Sequence, residues 1–226
     1  MKGLLTYCYL SLSKSGWALI EPSKRVNLRT MMRIASELGE PVAHRPGGAV
    51  VSVLKPTSAE NGHPNSLTSR YGQSAFPWHT DTAHWVIPAR YVVLSCINPG
   101  AGRRPTFLLP WRELKFTEAE FGAMQTGIFL VRDRKHCFLT GLIDDSLGLA
   151  RVDFDCMVPK GEMANYAKAL VLAQFEHACK QTIEWQAGMI VVIDNWQVLH
   201  SRGISETADN DRQLLRVLVG AQEARF

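Results

Sequence analysis

The chain has 226 residues, of which 46% are hydrophobic and 20% charged, with a formal net charge of +4. This length suits one domain over residues 1–226, which can bury a core without a disulfide or metal staple. No apolar run approaches membrane-spanning length. The basic residues are too dispersed for a nucleic-acid footprint, and we interpret the pair Arg103 and Arg104 as solvated surface. Five widely spaced cysteines without a Cys-x-x-Cys motif indicate a reducing cytoplasm.

Short strand-like segments follow one another along the chain, beginning after residues 1–13, which we expect to be a mature N-terminus without a cleavage site. Strands are predicted over residues 16–20, 49–54, 89–97, 104–109, 126–132, 137–140, 151–154, 182–185, 188–193 and 213–220. Helices are predicted from the cap Asn27 to Leu38, over 114–125 with Thr117 and Glu120 as a capping box, and over 161–180. Residues 57–75 are predicted to form a long loop. This pattern indicates a mainly β sandwich or barrel with flanking helices.

The most informative stretch is residues 76–81, which ends in the pair His79 and Asp81. In an extended segment these two side chains point to one face, while Thr80 points to the other. An imidazole and a carboxylate aligned in this way are two of the three ligands in a 2-His-1-carboxylate triad, which binds Fe(II). The pair alone is a weak signal, because a surface strand carries two such polar residues by chance.

A third ligand has to come from elsewhere, and His200 follows the apolar segment 189–193. Near the rim of a barrel it would meet the first two ligands, whereas the alternative is a solvated loop residue. Arg212 and Arg216 lie four residues apart and would share one face of the last strand. Arginines in an interior require anions, so they indicate an anionic ligand beside the metal, unless both face solvent.

The residues 79–81, the strand that ends at Asp194 and Asn195, His200 and the closing segment 211–217 together resemble the TauD/TfdA-like Fe(II)/2-oxoglutarate dioxygenases. Within that family the clavaminate synthase-like amino-acid hydroxylases are the nearest group, and the resemblance covers about residues 16–220. It implies a double-stranded β-helix, or jelly roll. One departure is Asp81 itself, since that branch often has Glu at this position.

The resemblance also implies a role for each matching residue. Three would be iron ligands, namely His79, Asp81 and His200. Arg212 and Thr106 would hold the distal carboxylate of 2-oxoglutarate, and Arg216 would lie near 2-oxoglutarate or the substrate. We interpret His84 as structural and His44 as solvated.

The implied activity is Fe(II)- and 2-oxoglutarate-dependent oxidation of a small polar substrate by O2, with an amino acid or derivative as the substrate class. Nucleic acid and membrane are not expected as partners. Two alternatives stay open: a zinc-dependent hydrolase on the same triad, and a non-catalytic jelly-roll binding protein. The sequence leaves open the primary substrate, hydroxylation against desaturation, and the oligomeric state, including a homo-oligomer.

Overall fold

The computed structural model describes residues 2–22, 27–63, 66–132, 137–204 and 209–221. Its helices are α1 (Lys2–Ser15), α2 (Leu28–Leu38), α3 (Leu67–Tyr71), α4 (Glu118–Thr126) and α5 (Gly161–His177). Its strands are β1 (Trp17–Ile20), β2 (Pro41–Val42), β3 (Val51–Leu54), β4 (Tyr91–Asn98), β5 (Thr106–Pro110), β6 (Ile128–Arg132), β7 (Cys137–Thr140), β8 (Ile143–Asp144), β9 (Leu149–Ala150), β10 (Met157–Lys160), β11 (Gln181–Ile183), β12 (Ile190–Asp194), β13 (Val198–Arg202) and β14 (Gln213–Val219). In these ranges no helix is both long and apolar enough to cross a membrane.

The larger sheet has six strands, in the order β1, β12, β4, β14 and β2, with β3 also paired to β14. All of these pairs are antiparallel. Val93 and Val192 pack against α1 and α2 on one face, while Val92 and Val191 face the opposite side. Both faces are therefore covered, which explains why the central strands are apolar at nearly every position.

A smaller sheet of β11, β5 and β13 faces the larger one across a shared core. Leu108 of β5 and Ile183 of β11 belong to the same buried cluster as Leu94 and Leu214 of the larger sheet. The structure thus confirms the predicted class, mainly antiparallel β with flanking helices. The space between the two sheets is where the candidate site is built.

A further three-stranded sheet, β10-β6-β7, supports α4 and α5. The helix α4 begins with the predicted capping box, since Thr117 and Glu120 bond each other's backbone amides. Ala164 and Ala167 of α5 pack with Phe129 of β6. This layer covers the side of the molecule next to the small sheet.

The structure corrects two sequence predictions, adds one helix and excludes one alternative. Residues 2–15 form the helix α1, which was missed because it buries only Cys8 and Leu12. The predicted loop 57–75 contains the short helix α3. Segment 151–154 is not a strand, because the amide and carbonyl of Val152 bond Thr80 instead of a ladder partner. His200 lies within a strand, β13, and not in a loop.

Candidate functional site

Two backbone hydrogen bonds join His79 to His200. The His79 amide donates to the His200 carbonyl at 3.0 Å, and the His200 amide donates to the His79 carbonyl at 3.1 Å. Antiparallel residues paired in this way project to the same side, and the two ring centroids lie 4.3 Å apart. His200 is also the partner of Leu108 in the small sheet. The histidine pair is therefore mounted on the interior face of that sheet.

Asp81 is fixed beside the histidines by Asn195, which follows β12 and is fully buried. The Asn195 Oδ1 atom accepts from the Asp81 amide at 2.8 Å, and its Nδ2 donates to the carbonyls of Asp81 at 3.0 Å and Ala89 at 2.8 Å. Thr80 points away and donates to the Ala150 carbonyl at 3.1 Å. His79 and Asp81 therefore share one side, as the spacing predicts.

His79, Asp81 and His200 form a compact set of potential metal ligands. One ligand atom from each lies within 4.8 Å of the others, and His200 Nε2 is 4.0 Å from Asp81 Oδ2. His79 Nδ1 lies 3.0 Å from the Pro77 carbonyl. Because a carbonyl can only accept, the proton belongs on Nδ1, and the lone pair of Nε2 is left to bind a metal. Burial, followed by the charge of His79, lowers the pKa of His200 to about 3. Two imidazoles and one carboxylate fit an Fe(II) ion.

Arg216 neutralises Asp81. Its Nη1 lies 3.0 Å from both carboxylate oxygens. Arg216 stands on β14 between Leu214 and Leu218, whose side chains face the shared interior. Burial alone would raise the pKa of Asp81, but Arg216, with smaller contributions from the histidines, lowers that pKa below its usual range. The carboxylate is therefore ionised and available as a ligand.

Arg212 and Thr106 lie elsewhere in the interior. Arg212 Nε is 3.9 Å from Asp209 Oδ2. The Thr106 hydroxyl accepts from Trp185 Nε1 at 2.9 Å, so its own hydrogen remains to be donated. Within the described ranges, no hydrogen bond or ion pair links either residue to the histidines or Asp81. The structure thus places Arg216 in contact with Asp81 of the ligand set, whereas Arg212 and Thr106 contact other residues.

Two interpretations of single residues were wrong. Arg104 is 2% exposed and not solvated. The predicted strand 104–109 could have indicated this burial, because alternation along such a strand would place Arg104 on the same face as Thr106. His44 is half-buried, with its ring stacked on Trp85 at 6.3 Å. Burial, and next the charge of Arg216, lower the pKa of His44 to about 4. No sequence pattern marks His44.

Neither a family model nor a curated protein matches the sequence. Solved structures do match nearly the whole chain. An asparagine oxygenase in complex with Fe(II), 3-hydroxyasparagine and succinate aligns at a TM-score of 0.77 and 20% identity, over 97% of this chain and 79% of that one. The non-heme iron oxygenase OrfP, in complex with Fe and alpha-ketoglutaric acid, aligns at 0.76 and 19%, over 98% and 81%.

AAD-2 in complex with Mn(II) and N-oxalylglycine aligns at a TM-score of 0.74 and 14% identity, over 99% of this chain and 90% of that one. The sequence identities are low, while the share of each aligned chain that is covered is high in all three comparisons. The chain therefore has the fold that these structures share.

The role of Asn195 can be tested by an Asn195→Asp variant. Aspartate keeps the acceptor for the Asp81 amide but places a carboxylate oxygen against two carbonyls, so we expect unfolding to become easier by roughly 2–4 kcal/mol. Metal affinity should fall as well, because the Asp81 segment loses its anchor. The measurements are urea unfolding and metal titration.

Asn165→Asp is the matched control, since Asn165 is exposed on α5 and its side-chain amide donates to the Gly161 carbonyl of the same helix. It should change stability by less than about 0.5 kcal/mol. Equal stability of the two variants would contradict the anchoring role of Asn195.

Proposed function

We propose that this chain is an Fe(II)- and 2-oxoglutarate-dependent dioxygenase that hydroxylates or desaturates a small polar substrate, such as an amino acid or a derivative. The observation that carries the proposal is the buried group of His79, Asp81 and His200, whose ligand atoms lie within 4.8 Å of one another. Support comes from the fold shared with an asparagine oxygenase and with OrfP.

The proposal includes a single domain over residues 1–226 with a jelly-roll core and a cytoplasmic location. Two facing antiparallel sheets with a common interior support the jelly roll. The helices α1 and α2 share a core with the large sheet itself, which supports one folding unit.

When bound, Fe(II) with 2-oxoglutarate and O2 would supply the oxidising power, with succinate and CO2 as the co-products. The chain's contribution is to present two imidazole nitrogens and an ionised carboxylate on one side of a closed interior. Asp81 would share its negative charge with the metal, so Arg216 would keep part of its positive charge for another partner. The carboxylate of an amino-acid substrate suits that position.

Arg212 and Thr106 would bind the distal carboxylate of 2-oxoglutarate. Arg212 is buried and has no hydrogen bond on Nε among the described residues, and Thr106 retains a hydroxyl hydrogen. A zinc hydrolase on the same triad has no use for such an anion site. A non-catalytic binding protein has no use for an ionised carboxylate facing two imidazoles.

The direct test of the proposed function is succinate release from 2-oxoglutarate by the Fe(II)-reconstituted protein under O2, across a panel of amino acids and derivatives. We expect release above the substrate-free background with at least one member of the panel. Metal analysis after anaerobic reconstitution accompanies the assay. Tight Zn(II) binding with hydrolytic activity, and no succinate, would favour the hydrolase alternative.

The metal assignment predicts that His200→Ala loses at least about 100-fold in Fe(II) affinity, because loss of outer contacts alone commonly costs 10–100-fold. His177→Ala is the control, since His177 is exposed at the end of α5, and it should bind like the parent. Anaerobic Fe(II) titration provides the measurement. Equal affinity of His200→Ala and the parent would remove His200 from the ligand set.

The anion assignment predicts that Arg212→Ala weakens 2-oxoglutarate binding at least about tenfold, since a charge-assisted hydrogen bond contributes roughly 1.5–3 kcal/mol. Arg212→Lys should restore it only in part, because an ammonium cannot form the planar fork. Arg216→Lys should affect the substrate more than 2-oxoglutarate. The charge-transfer band of the anaerobic Fe(II) protein follows binding. If Arg212→Ala keeps its affinity for 2-oxoglutarate and Arg216→Ala loses most of it, the roles assigned to the two arginines are reversed.

A further inference from the structure

A cluster of buried charge lies just before β5. Arg104 is 2% exposed, Arg212 6% and Asp209 0%. The Arg104 Nε atom is 3.8 Å from Asp209 Oδ2, and the Arg212 Nε atom is 3.9 Å from the same oxygen. Two guanidinium groups therefore share one carboxylate oxygen in a region closed to solvent.

Among the residues that the structure describes, this cluster lacks one negative charge, because two guanidinium groups face the single carboxylate of Asp209. The Nε atoms of Arg104 and Arg212, and Asp209 Oδ2, have no hydrogen-bond partner among the described residues. Burial lowers the pKa of both arginines, and the charge of Asp209 only partly opposes that shift. A buried cation without a full partner is costly, so the arrangement is suited to one further anion.

Arg202 adds to the excess of positive charge. Its Nη2 donates to the carbonyls of Gly72 and Ser74, each at 2.6 Å, and its guanidinium carbon lies 3.4 Å from the centre of the Phe76 ring. Burial, and then the charges of Arg104 and Arg212, lower the pKa of Arg202 to about 9. Arg202 is thus held by its own carbonyl partners, Gly72 and Ser74.

The position of Asp209 is set by the backbone around it. The Gly102 amide donates to Asp209 Oδ1 at 3.2 Å. Gly100 has a φ of +77°, and a Cβ at that residue would lie 1.8 Å from the same oxygen. The carboxylate is therefore seated against glycine backbone, and the two arginines are arranged around a fixed charge.

We propose that Arg104 is a second arginine of the anion site, so that Arg104 and Arg212 together receive the distal carboxylate of 2-oxoglutarate. The inference rests on the proposed function. One ligand carboxylate brings Arg104, Arg212 and Asp209 to neutrality. Thr106 lies two residues after Arg104 at the start of β5, and strand alternation places it on the interior face with Leu108. The site would select an oxo acid that carries a second carboxylate over one that does not.

The test compares 2-oxoglutarate with 2-oxopentanoate, which has the same chain length but a methyl group in place of the distal carboxylate. Both are titrated into the anaerobic Fe(II) protein, and the charge-transfer band reports binding of each. We expect Arg104→Gln to weaken the binding of 2-oxoglutarate at least about tenfold and to leave the affinity for 2-oxopentanoate unchanged. A merely structural defect would weaken both ligands.

Arg103→Gln is the matched control, because Arg103 is exposed and its loss changes the net charge by the same amount. It should bind both oxo acids like the parent. If Arg104→Gln does not fold, Arg104→Lys carries the test, with a smaller loss for 2-oxoglutarate alone.

The outcomes separate the two proposals. A parent protein that binds neither oxo acid with Fe(II) would contradict the proposed function. A parent that prefers 2-oxoglutarate, together with an Arg104 variant that keeps the same preference, would overturn the role of Arg104 alone. Equal weakening of both ligands in that variant would also overturn it.

Discussion

The candidate site depends on the two backbone hydrogen bonds between His79 and His200. These residues are more than a hundred positions apart in the chain, and no continuous ladder joins their segments; a single antiparallel bridge does so. Because a bridged pair projects its side chains together, this contact brings the imidazoles to 4.3 Å. Without it, β13 would carry one histidine and the segment before Asp81 the other, with no shared ligand space.

The segment after Asp81 has few ladder hydrogen bonds, so side chains hold its backbone. The buried Arg151 guanidinium donates to the carbonyls of Ala83, Trp85 and Val86. Thr82 has a φ of +57°, a left-handed conformation that is unfavourable for a β-branched residue, and its hydroxyl accepts from the Ala89 amide at 2.8 Å. Buried backbone groups need hydrogen-bond partners. These contacts provide such partners for the segment after Asp81, which has few of them from strand pairing.

Much of this architecture could be predicted from the sequence, because strand alternation and helix caps are local. The α2 cap at Asn27, the pair of His79 and Asp81, and the class of fold all followed from spacing of that kind. The partners of Arg104 could not be predicted. Asp209 lies over a hundred residues away, and only tertiary packing shows that this arginine is buried. Short-range pattern also missed α1, whose buried face is small.

The interior holds two groups of charge with different balances. Asp81 and Arg216 neutralise each other beside the imidazoles, whereas Arg104 and Arg212 share the single carboxylate of Asp209 within the described ranges. A metal ion at the first group would bind the Asp81 carboxylate, while the second group would attract an anion before any metal is present. On the proposed function, a dicarboxylic oxo acid would therefore meet two distinguishable cation sites: one whose charge comes from the metal, and one whose charge comes from Arg104 and Arg212. Coulomb attraction in a low-dielectric interior is strong enough to decide between two such orientations, so the chain itself would fix which carboxylate faces the metal.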